Sequence, residues 1–215
     1  MRTLVQTLAF IAAPIAPAAA QDFYVYGGAE LEFLIEPDGA GSENASTLNA
    51  YIELEKSGFY AGLFGEIAND SATNEVDLYL GYRAETAGGL SYDVGYSRYF
   101  HPNDGGDCCG DLTLELGVPL GDRYKGTFEA AYDPEATLGN ATIGLEFYAT
   151  DAITLSANYG TYQVEDAGRE QKWDVGMAYA LSDEAAVDLR YYDGTDYADG
   201  YVGLSLTWDT TIFSR

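Results

Sequence analysis

The chain has 215 residues, with 35 Asp and Glu against 10 Lys and Arg, giving a formal net charge of −25. That balance excludes nucleic acid as a partner, which needs basic surface, and excludes docking on anionic lipid through a basic face. Strong acidity with few aromatics would mean disorder, but 19 Tyr, 9 Phe and 2 Trp spread along the chain argue that it folds, and the length suits one domain.

Residues 1–20 read MRTLVQTLAFIAAPIAPAAA: one positive charge at Arg2, an apolar run, and Ala18-Ala19-Ala20 before Gln21. This is the pattern of a secretory signal peptide, leaving residues 21–215 as the mature domain. After it, no apolar run is long enough for a membrane-spanning helix. Two classes remain, a secreted or periplasmic β protein and a transmembrane β-barrel.

The mature chain alternates apolar and polar residues with period two, the signature of strands with one apolar face. The spacing predicts about twelve strands of near ten residues, the length a tilted strand needs to cross a bilayer. The first covers 23–35, with Phe23, Val25, Ala29, Leu31, Phe33 and Ile35 on one face. Residues 48–67 form a hairpin turning at Lys56-Ser57-Gly58, with Leu48, Ile52, Leu63 and Ile67 on the apolar side and Glu53 and Glu66 on the other. Further strands are predicted at 75–84, 90–100, 111–120, 124–132, 141–148, 153–162, 172–180, 185–192 and 201–208. Leu112, Leu114, Leu116 and Val118 give the cleanest stripe; Arg98 interrupts the apolar register of its strand.

The predicted connections alternate between short (56–58, 85–89, 119–122, 150–152, 181–184) and longer (36–47, 69–74, 101–110, 133–140, 165–171, 193–200). Outer-membrane barrels have short periplasmic turns and longer outer loops, so this alternation fits an even-stranded barrel with both termini in the periplasm. Aromatics such as Phe23, Phe59, Tyr82, Tyr92, Tyr124, Trp173 and Trp208 fall near stripe ends, as interfacial girdles do. The expectation is an all-β fold: a transmembrane antiparallel up-and-down β-barrel of about 12 strands, in the outer membrane of a Gram-negative bacterium. The competing expectation is a soluble periplasmic β protein whose apolar faces point inward around a ligand.

The segments SGFYAGLFGEI (57–67), EVDLYLGYRAE (75–85) and GLSYDVGYSRYFHP (89–102) resemble the TorF family of proteobacterial porins. The resemblance implies an outer-membrane barrel acting as a pore and carries no catalytic residues. It also implies partners in biogenesis, the barrel-assembly machinery and periplasmic chaperones, and a home among outer-membrane lipid and lipopolysaccharide. The chain departs from the usual barrel ending on an aromatic residue, finishing Ile212-Phe213-Ser214-Arg215; Phe213 is expected to take that role two residues early.

Carboxylates cannot face lipid cheaply, so the polar face is read as a lumen. Its candidate pore-lining residues are Glu30, Glu53, Glu66, Asp77, Arg83, Glu115, Lys125, Glu129, Glu146, Asp174, Asp188 and Arg190. Acid outnumbers base there, so a water-filled lumen would prefer cations. The alternative is a plugged, non-conducting barrel in which these groups pair with one another and the acidic loops serve a structural, adhesive or surface-protective role. Cys108 and Cys109 are a disulfide candidate in an oxidising compartment. Asp193, Asp196 and Asp199 lie in a Gly-interspersed acidic loop of the kind that can bind Ca²⁺; the full EF-hand pattern is missing, and a solvated loop is the simpler reading. No other cofactor is expected. With one His, His101, and no GxSxG or P-loop, nothing points to an enzyme.

Overall fold

The computed structural model describes residues 23–35, 45–69, 74–164, 168–195 and 200–215. Residues 1–20, expected from the sequence to be a signal peptide, lie outside them. Twelve antiparallel strands follow in chain order: β1 Phe23–Ile35, β2 Ala45–Lys56, β3 Phe59–Ala68, β4 Glu75–Glu85, β5 Ser91–His101, β6 Gly106–Pro119, β7 Tyr124–Asp133, β8 Leu138–Tyr148, β9 Ile153–Val164, β10 Gly168–Ala180, β11 Ala185–Gly194 and β12 Tyr201–Ser214. Each pairs with its chain neighbours, and β1 closes on β12, so the sheet has no edge. Phe23 and Arg215 exchange backbone hydrogen bonds of 2.8 and 3.0 Å, which places the start of β1 and the end of β12 on one rim.

Side chains sort by parity. On β3, Phe59, Leu63 and Ile67 are exposed on the outside while Phe64 and Glu66 are buried on the inside. The same holds around the wall: Ile52, Leu78, Leu80, Val94, Leu112, Ile143, Val175 and Leu206 all point out. Among the described residues the only buried hydrophobic side chain is Phe64, whereas Glu53, Glu66, Asp77 and Asp174 are buried. The barrel is therefore inside out relative to a soluble β protein, whose apolar residues face the core.

Ser57 and Gly58 connect β2 to β3 as a two-residue turn with φ of 55° and 85°. Positive φ at both central positions matches the right-handed twist of the flanking strands. Two β-bulges shape the rims. One lies where Tyr99 pairs with Cys109 and Phe100 with Asp107, leaving Cys108 as the extra residue. The other lies where Val25 pairs with Phe213 and Tyr26 with Thr211, leaving Ile212 extra. That second bulge keeps both Ile212 and Phe213 exposed on the outside despite their adjacency in sequence. Phe213 meets Phe23 edge-on at 6.4 Å, so the C-terminal aromatic caps the seam where the barrel closes.

The structure corrects the loops. β6 starts at Gly106, β8 at Leu138 and β10 at Gly168, and the connections 102–105 and 134–137 are tight. The strong length alternation expected from sequence is thus reduced, because the strands overshoot the apolar band on the rim opposite the termini. The overshooting residues, such as Asp107, Cys109, Asn140, Arg169 and Glu170, carry no hydropathy alternation to read. Their pairing is imposed by the neighbouring strand through backbone hydrogen bonds.

Candidate functional site: an acidic inner wall

All twelve candidate lining residues fall on the inward parity of their strands, and the register joins them into rows. One row runs Arg83, Asp93, Glu115, Glu129; each side chain directly opposes the next across a strand pair. Lys125 opposes Glu146 in another. A third runs Glu30, Asn49, Glu66, Glu75 across β1 to β4. Three environments result.

The first centres on Arg83. It donates to Glu53, lies 3.3 Å from Glu55, and stacks its guanidinium 4.2 Å from the ring centre of Tyr60. Tyr60 in turn donates to Asp93 at 2.5 Å. The planar guanidinium, with several donors fixed in one fork, suits a site where two carboxylates and an aromatic face converge.

The second centres on Arg190. It donates to Asp174, to Asp188 at 3.1 Å and to Ser156 at 2.8 Å, while Asn158 donates to Asp174 at 2.9 Å. Gly176, on the strand between Ser156 and Arg190, makes this reach possible. A Cβ there would sit 2.6 Å from the guanidinium carbon. The sequence signal for this centre is a Gly two positions after an acid on its own strand and opposite an Arg on the next.

The third environment is the patch on β2, β3 and β4. Glu66 and Glu75 directly oppose each other, a like-charge arrangement that destabilises a sheet. Glu75 lies 3.6 Å from His101 at the rim. Glu66 and Asp77 form no ion pair with a base among the described residues. Glu66 Oε2, Asp77 Oδ1, Asn49 Oδ1 and Thr47 Oγ1 are buried with no hydrogen-bond partner among those residues. Phe64 sits in their midst, opposite Tyr51 on one side and Asp77 on the other.

Several tyrosines are lumenal: Tyr51 donates to Asp209 at 2.7 Å, Tyr60 to Asp93, and Tyr99 to Asp111 at 3.3 Å. Their polar-face parity was visible in the sequence, but their pairing with acids of distant strands was not.

Lys125 lies 3.9 Å from Glu146 and Lys172 lies 3.7 Å from Glu170. Cys108 and Cys109 are joined by a disulfide at the bulge of β6. Arg98, which broke the apolar stripe of β5, projects outward and donates to Asp107 at 2.6 Å and to Glu135 at 2.5 Å. It thereby ties the β5–β6 rim to the β7–β8 turn. Of the three aspartates considered for Ca²⁺, Asp193 accepts from the Gly194 amide at 2.7 Å and from Tyr191 at 3.2 Å; Asp196 and Asp199 lie outside the described residues.

A family model described as "Bacterial protein of unknown function (Gcw_chp)" matches residues 47–212, and the chain belongs to that family. The TorF resemblance rests on residues 57–102, within the matched span. No curated protein matches the chain by sequence. Among solved structures it is similar to the KdgM porin, at TM-score 0.65 and 9% identity over 84% of this chain and 98% of that one. It is similar to the NanC porin, at 0.58 and 12% over 90% and 100%. It is also similar to the outer membrane phospholipase A from Escherichia coli, at 0.53 and 12% over 94% and 95%. At such identities these likenesses establish the fold, a closed antiparallel barrel of the outer-membrane kind, and leave the activity to the chemistry of the wall.

Proposed function

We propose that the protein is an outer-membrane channel of a Gram-negative bacterium, of the TorF kind, for passive diffusion of small and preferentially cationic solutes. The observation that supports this best is the inside-out distribution of side chains. An apolar outer surface suits lipid, and a lumen lined with carboxylates, with Phe64 the one buried hydrophobic among the described residues, suits water and ions. In this reading the termini face the periplasm. The overshooting rim with Asp107, Asp133 and Glu135 faces outward, where carboxylates can share divalent cations with lipopolysaccharide phosphates. The lumen offers channel selectivity rather than catalysis.

The second reading is a closed barrel. It is favoured by the Arg83 and Arg190 centres, where each arginine already offsets part of the charge of two carboxylates. Planar-bilayer recording of the refolded protein under a KCl gradient separates the two. Discrete steps with a reversal potential favouring K⁺ over Cl⁻ are expected. Folded protein, checked by heat-modifiable gel migration, that gives no steps would establish the closed barrel, and anion preference would end the selectivity reading.

A further inference from the structure

The centres at Arg83 and Arg190 hold their carboxylates with a base inside the protein; on the β2 to β4 patch only Glu75 meets one, His101, among the described residues. Three of its acceptors, Glu66 Oε2, Asp77 Oδ1 and Asn49 Oδ1, are buried and unpartnered among the described residues. Their residues are 6%, 5% and 9% exposed. Such orphan acceptors cost free energy, and the directly opposed Glu66 and Glu75 add repulsion.

The chemistry of the patch specifies what would satisfy it. It needs positive charge and N–H donors. A primary ammonium carries one charge and three donors. Among the described residues no three of His, Cys, Asp or Glu converge as a metal cage would require, so a bare metal ion is a poorer fit. Beside the acceptors lies Phe64, pairing with Asp77 across β3–β4 and two positions from Glu66 on the same face. Directly opposed side chains on adjacent strands stand about 5 Å apart and diagonal ones about 7–8 Å. That spacing sets an apolar ring next to the acid group, at the reach of a short alkyl chain.

We infer that the β2–β4 patch is a binding site for alkylammonium solutes, with Glu66, Asp77 and Asn49 taking the ammonium head and Phe64 the alkyl body. This deepens the cation-channel reading and rests on it for the route by which such a solute enters. Binding itself does not require conduction, so the two can fail separately.

The test is an NMR titration of the ¹⁵N-labelled full barrel in detergent micelles, with n-butylammonium and ammonium chlorides at fixed ionic strength. Saturable shifts at the Phe64, Glu66 and Asp77 amides are expected. Butylammonium should bind about tenfold tighter than ammonium, the effect of burying roughly two methylenes. Glu66→Gln and Asp77→Asn should each weaken butylammonium on the order of tenfold by removing a charged acceptor, while Glu66→Asp retains most of the binding. Phe64→Ala should remove the preference for butylammonium over ammonium and leave ammonium binding within about twofold. Each variant is scored only after heat-modifiable migration shows it folded, and Asp77→Asn stands in if Glu66→Gln does not fold. Equal affinity for the two cations, or wild-type binding by both carboxamide variants, would overturn the inference even if the channel conducts cations. Saturable, Phe64-dependent binding in a barrel that gives no conductance would uphold the site and end the channel reading.

Discussion

Asp174 and Glu66 are equally buried, at 6% exposure each, and they live in opposite electrostatic conditions. Asp174 shares Arg190 with Asp188 and accepts a further hydrogen bond from Asn158. Glu66 faces Glu75 across the strand pair and keeps an acceptor oxygen without a donor among the described residues. Burial therefore does not distinguish them. What differs is the counter-charge at hand: one arginine shared by two aspartates around Arg190, and no base at Glu66 or Asp77 among the described residues. A barrel lumen can hold both because neither needs to pack against an apolar core.

The largest effect is expected from breaking the balanced side. Arg190→Met leaves Asp174 and Asp188 without their cation. Removing one partner of a buried ion pair costs about 3–5 kcal/mol, to be read from guanidinium unfolding in lipid vesicles. A loss under about 1 kcal/mol would show that water already screens the centre and that the two walls differ less than their geometry suggests.

Next in size is a control on the frame that both walls share. Leu63→Arg puts a charge on the outward face mid-strand, opposite Ile52 and Leu78. On a lipid-facing midplane position this costs about 2–4 kcal/mol in vesicles. A near-neutral result in lipid would remove the outward face from the membrane.

On the unbalanced side the sign reverses. Glu66→Gln with Asp77→Asn relieves like-charge repulsion, so stability should hold or rise by up to about 1 kcal/mol. The K⁺ over Cl⁻ preference should fall in the same protein. A clear loss of stability would mean that the patch is structural, like the Arg190 centre.

The smallest change is expected at the rim. Arg98→Ala removes two solvent-exposed ion pairs, to Asp107 and Glu135, and such pairs contribute little, so guanidinium unfolding should show only a slight loss of stability. The difference from wild type should shrink further in high salt.

Much of this architecture was legible in the residues. Leu112 to Val118 and the 48–67 hairpin show period two without ambiguity, and every candidate lining residue from Glu30 to Arg190 lands on the inward parity. The limits of legibility have physical causes. Gly106 to Cys109 read as a loop because they lack apolar alternation, although the ladder from β5 holds them as strand. Ile212 and Phe213 cannot both be outward by parity, and a bulge makes them so. Arg98 read as an imperfection, and its partners Asp107 and Glu135 come from two separate connections.

The sequence by itself determined the twelve amphipathic stretches, the side of each that meets water and the acidic sign of that side, since all three follow from local alternation and composition. Only the tertiary structure decided which carboxylates acquired an arginine. Arg83 reaches Glu53 over 30 positions and Arg190 reaches Ser156 over 34, and such pairings are set by strand register and by a glycine's missing side chain. Glu66 and Asp77 carry the same chemistry as Asp174 in the sequence. The β3–β4 register gave them Phe64 and each other as neighbours, and no base among the described residues, because register places side chains by position rather than by charge.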